Sequence, residues 1–100
     1  MLQTVNKSPF EKNAMQSCLR LSPQGSAVLF YEDGVYAAVK GTKFEAQIKE
    51  ATQQFSVYAL LPDLEARGMR ADDVIDGIKT VDYSGFVDLV ADNGTVQAWL

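Results

Sequence analysis

The sequence predicts an α/β domain, a three-layer αβα sandwich around a mainly parallel five-stranded sheet. Three observations lead there. Ala27-Val28-Leu29-Phe30-Tyr31 is an unbroken apolar run of strand-favouring residues, the pattern of a strand buried on both faces. Segments of strand character alternate along the chain with segments of helical period. The connections are short, so right-handed crossovers between parallel strands are the expected topology. One domain is expected over residues 1–100, without repeats, linkers or low-complexity stretches.

In chain order, Leu2–Val5 is a short strand candidate. Ser8-Pro9-Phe10-Glu11 has the form of a capping box with proline at the first helical position. It predicts a helix from Pro9 to about Leu21, ended by Ser22-Pro23-Gln24-Gly25. Phe10, Ala14, Met15, Cys18, Leu19 and Leu21 share the apolar half of that helix. The strand Ala27–Tyr31 is stopped by Glu32-Asp33-Gly34, and Val35–Val39 reads equally as a short strand or a helical turn. Thr42-Lys43-Phe44-Glu45 is a second capping box, opening a helix to about Gln53 with Phe44, Ile48 and Ala51 inward.

Phe55–Leu61 is the third strand. Pro62–Arg67 reads as a short helix stopped by Gly68 in the usual C-terminal position. Met69–Gly77 reads as a solvated loop; its aspartates lack the ligand spacing of a calcium site. Ile78–Val81 is a brief, edge-like fourth strand. Asp82 caps a helix over Tyr83–Asp92 whose apolar positions are Tyr83, Phe86, Val87 and Val90, and Thr95–Leu100 closes the sheet. Trp99 and Leu100 either pack on the domain or enter a subunit interface.

Composition removes several function classes. Net charge is −4 and the basic residues are scattered, which disfavours direct nucleic-acid binding. The absence of histidine excludes Ser-His-Asp and Cys-His chemistry within the chain. One cysteine allows neither an intrachain disulfide nor a cysteine-rich zinc site. Glycine-rich phosphate loops and the nucleophile elbow are missing, and no cofactor is implied. No apolar run is long enough to span a bilayer, so a cytoplasmic protein without membrane partners is expected.

Two groups of residues carry candidate chemistry. Glu32, Asp33, Asp63 and Asp82 fall at expected strand ends, where gathered carboxylates could bind Mg²⁺ or accept a phosphoryl group. Each also has a sufficient local role, in a turn or at a helix amino terminus. Cys18 is the one strong nucleophile, yet its helical position is late, where the dipole disfavours a thiolate. Arg20 points about 160° away around the same helix. By this reading Cys18 belongs to the core.

At TVNKSPFE, FYEDGVYAAV, PDLEARG, VDYSGFVDL and VQAWL, the chain resembles the DsrH/TusB family, over Leu2 to Leu100. The resemblance implies a DsrE-like α/β fold and a place in a cytoplasmic heterohexamer of three related chains, each present twice, that relays sulfur as cysteine persulfide. The partners it implies are DsrE/TusD-like and DsrF/TusC-like subunits, with a DsrC/TusE-like acceptor protein reached through the complex. The main persulfide cysteine is then on the DsrE/TusD-like partner. SPFE, the VQAWL ending and the cysteine in Ser17-Cys18-Leu19-Arg20 look more like the DsrH branch, which serves sulfur oxidation. The TusB branch serves tRNA 2-thiouridine synthesis. The same likeness makes Cys18 a candidate persulfide carrier.

Overall fold

The computed structural model describes residues 1–100. Its strands are β1 (Leu2–Val5), β2 (Ala27–Phe30), β3 (Ser56–Leu60), β4 (Lys79–Val81) and β5 (Val96–Trp99). Its α-helices are α1 (Ala14–Leu21), α2 (Glu45–Ala51), α3 (Leu61–Ala66) and α4 (Tyr83–Asn93), joined by 3₁₀ turns at Glu32–Ala38 and Ala71–Asp73. The five strands form one sheet in the order β4-β3-β2-β1-β5. Every pairing is parallel. The apolar run that predicted the fold therefore lies at the centre, and all of β1 and β2 is buried.

The pleat divides the sheet into two faces. Val5, Val28, Phe30, Val57 and Ala59 point to the first, where they form the main core with Ala14, Met15 and Cys18 of α1 and Ile48 and Ala51 of α2. Leu2, Ala27 and Leu29 point to the second, against Phe86 and Leu89 of α4. An eight-residue helix such as α1 is too short to persist alone, so its packing on the first face holds it. Buried Gln3 lies on that face too, and its Oε1 accepts the Trp99 indole N–H at 2.8 Å. Leaving that amide unpaired would cost about 1–3 kcal/mol, so this bond fastens β5 to β1.

Several expected boundaries shift. The first helix starts at Ala14, not Pro9, because the Ser8 signal makes a separate turn. Ser8 Oγ accepts from the Phe10 amide and its carbonyl accepts from Glu11 and Lys12. Thr42 Oγ1 accepts from the Phe44 amide, but the Glu45 side chain accepts from the Gly41 amide rather than from Thr42, and α2 starts late, at Glu45. The ambiguous Val35–Val39 is mostly 3₁₀ helix. Residues 69–77 are more than a solvated loop. Val74 bridges Val39, and Val74 and Ile75 enter the core. Asp82 does cap α4, accepting from the Gly85 amide at 2.8 Å. Yet no α4 residue is buried, and Tyr83, Val87 and Val90 face solvent.

After β2 the chain turns sharply. Glu32 takes φ 48°, a left-handed conformation for a residue with a side chain. Gly34 lies so close to β1 that a Cβ would sit 2.1 Å from the Val5 carbonyl oxygen. Only glycine fits without moving backbone. Gly34→Ala is expected to lower stability by about 1–3 kcal/mol, read as a lower urea midpoint at unchanged slope.

Candidate functional site

Parallel strands place all five carboxyl ends at one edge of the sheet, where α/β proteins usually carry their sites. Here that edge holds Asn6 after β1, Glu32 and Asp33 after β2, Asp63 of α3 with Arg67 at that helix's carboxyl cap, and Asp82 after β4. The left-handed Glu32 turns its amide onto Asp63 Oδ2 at 2.5 Å. Asn6 Nδ2 donates to Glu32 Oε1 at 3.3 Å, while Asn6 Oδ1 is buried without a partner. Arg67 donates from Nε and Nη2 to Asp33 Oδ1 at 3.0 and 2.8 Å, and from Nη1 to the Asp63 carbonyl. The Asp33 hydrogen bond holds the guanidinium above its usual pKa.

This arrangement is a brace between α3 and the β2 turn. Of the expected acidic centre, Asp33 is paired with Arg67, Asp63 accepts an amide and Asp82 caps α4. No three carboxylate or thiol groups converge on a point where a metal ion could sit. The local roles of these residues account for all but the Glu32 side chain, which is held by Asn6.

Cys18 is at the other end of the molecule. Because β1 and β2 are parallel, α1 runs antiparallel to them and ends at the amino-terminal edge of the sheet. The Cys18 side chain is fully buried in the main core beside Met15 and Ala14. Burial pushes the thiol pKa up, and a 3.6 Å contact with Ser22 Oγ only partly offsets this. The neutral thiol is favoured, so the nucleophilic thiolate is scarce. Outside this, Asn13, Gln16, Ser17, Leu19, Arg20 and Gln47 line an open polar groove between α1 and α2.

Sequence reasoning missed the surface of α4. At 100° per residue, Phe86, Val90, Tyr83, Val87 and Ala91 span about 140°, and Leu89 lies a further step beyond Phe86. Such a stripe is wider than one packed face needs. Phe86 and Leu89 take the sheet side, and Phe86, Val87, Val90 and Ala91 line a wholly apolar hollow on the outer side. The signal was present in the width of the stripe rather than in its period.

Comparison with known proteins agrees with this geometry. The DsrH family model, described as "DsrH like protein", matches residues 7–96. Protein TusB of Shigella flexneri is 35% identical over 99 residues, covering 99% of this chain and 100% of that protein. Protein TusB of Escherichia coli O139:H28 matches to the same extent, at 35% over 99 residues. Among solved structures, the ychN protein from E. coli superposes with a TM-score of 0.81 at 18% identity, covering 97% of each chain. MTH1491 from Methanobacterium thermoautotrophicum, a protein of unknown function, gives 0.71 at 19% identity, covering 97% and 96%. These two share the fold. The full-length sequence matches go further, and with them the five segments quoted above have their explanation: the chain belongs to the DsrH/TusB family.

Proposed function

We propose that this chain is the DsrH-like subunit of a cytoplasmic heterohexameric sulfurtransferase that relays persulfide sulfur in sulfur oxidation, with mainly an assembly and binding role. The family match along the whole chain carries this reading. Two features of the chain support an assembly role over a catalytic one. Its one thiol is buried and held neutral. Its outer helix presents exposed Tyr83, Val87 and Val90, an apolar face that partner subunits would cover. DsrE/TusD-like and DsrF/TusC-like subunits are those partners, the first carrying the main persulfide cysteine, with a DsrC/TusE-like protein receiving the sulfur.

A second reading rests on the 35% identity to chains named TusB. In it the same complex supplies sulfur for tRNA 2-thiouridine. Deleting the gene and measuring tRNA nucleosides by mass spectrometry separates the two. Retained 2-thiouridine with impaired sulfur oxidation supports the DsrH-like reading; loss of 2-thiouridine supports the TusB-like one.

Assembly is tested by co-expression with both partner subunits. The wild-type chain should co-purify with them, and Val87→Glu with Val90→Glu should abolish co-purification while leaving the circular dichroism unchanged. A wild-type chain that stays alone removes the assembly reading.

Cys18 itself is proposed as a carrier only in a state where α1 opens, for which the half-exposed Ser22 contact at the helix end is the favourable observation. In the native fold its alkylation should be slow. A raised folded pKa means that its contribution to stability is complete below the unfolded-state pKa, near 8.5, and is lost as pH rises through the folded value. Intact mass after incubation with a persulfide donor decides the role. A gain of one sulfur on this chain, lost in Cys18→Ser, makes it a carrier; sulfur confined to a partner leaves Cys18 in the core.

A further inference from the structure

The two edges of the sheet differ. β4 is three residues long and begins with exposed Lys79, a charge that blocks edge-to-edge pairing. β5 has no such protection. From Thr95 to Leu100 the chain has no charged side chain, no proline and no glycine. Val96, Gln97 and Ala98 are exposed, and Val96 and Leu100 are 47% and 79% accessible. An extended edge without charged side chains is a template for another strand.

The backbone directions fix how such a strand could pair. The Leu2 amide donates to the Thr95 carbonyl at 3.0 Å, so Thr95 faces β1. Alternation along the strand then turns Gln97 and Trp99 toward β1, and turns the amides and carbonyls of Val96 and Ala98, continued by the Leu100 amide, to the open edge. Two copies related by a two-fold axis perpendicular to the sheet keep the same face up, so a residue can oppose only one of its own parity. Centred on Ala98, the operation sets Ala98 against its own copy and Val96 against Leu100, as hydrogen-bonded pairs. Gln97 opposes Trp99 as the closer, non-bonded pair.

We propose that β5 pairs antiparallel with β5 of a second copy of this chain, in this register, to make a continuous ten-stranded sheet. The occupant is a second copy because the strand complements itself. Its outward groups match in phase and its exposed apolar residues, Val96 and Leu100, meet across the axis. No like charges are opposed along it, although the chain as a whole carries net charge −4. The same operation brings both α4 helices to one face of the joined sheet. This interface is separate from the α4 surface assigned above to other subunits.

Disulfide trapping tests the register on the purified full-length chain. Hydrogen-bonded antiparallel partners have Cα atoms about 5.5 Å apart, within disulfide range. Ala98→Cys should therefore form, under mild oxidation, a linked species of twice the 11.0 kDa chain mass. Gln97→Cys should not, because it lies diagonal to its copy at about 7–8 Å. Ala98→Pro removes an edge amide that β1 does not use, so it should keep the fold by circular dichroism and weaken self-association by about tenfold in sedimentation equilibrium. Three results overturn the pairing: Ala98→Cys staying unlinked with its thiol reactive, Gln97→Cys linking equally well, or a wild-type chain that sediments as a monomer at 100 μM or so. None requires a partner subunit, so failure here leaves the sulfur-relay reading intact.

Discussion

Two adjacent parallel strands buried on both faces set the terms for everything else in this molecule. β1 and β2 cannot leave either side in water, so the chain must lay helices on both. The first side is covered by α1, α2 and Leu64 of α3, with Met15, Cys18 and Ile48 wholly enclosed. The second is covered by α4 alone, and no residue of that helix is fully buried. The asymmetry follows from the order of the strands. Successive crossovers from β1 to β3 stay on one face, and the single return from β4 to β5 crosses the other. The thin layer is consequently the last one built, and it ends in an edge strand.

That asymmetry separates the chain's chemistry from its surfaces. The carboxyl edge, where a parallel sheet would ordinarily hold a reaction, is occupied by a brace of Arg67, Asp33, Asp63 and the Glu32 amide. The one thiol lies at the opposite end inside the thick layer. What remains open includes the polar groove between α1 and α2 and the apolar side chains Tyr83, Val87 and Val90 of α4 and Val96 of β5.

Most of the architecture was legible in the residues. The apolar run before Glu32 marked the central strand, Gly68 marked the end of α3, and Asp82 marked the start of α4. Local signals were misleading where two of them competed. Ser8 and Pro9 satisfied their own turn and left α1 to begin at Ala14, since a cap commits only the amides it reaches. Val74 and Ile75 sit among aspartates and so looked solvated, but the antiparallel bridge to Val39 draws them inward. Periodicity indicated that α4 is amphipathic and could not tell a face packed on its own sheet from one left in solvent. Placing Cys18 in the core needed only its helical phase, and the carboxyl-edge brace needed contacts between residues thirty positions apart that no local pattern records.

The bond between Trp99 and Gln3 has an optical consequence. Trp99 is the only tryptophan, so all of the indole emission of the unmodified protein originates on β5. Its ring is partly buried against the main core and its N–H is held by an amide that water scarcely reaches. Fluorescence from this chain therefore reports the docking of its outermost strand. Fraying of that strand would red-shift the signal while the central sheet stayed folded, so an emission-monitored melt and a circular-dichroism melt need not coincide. Any gap between the two curves measures how loosely the edge is attached.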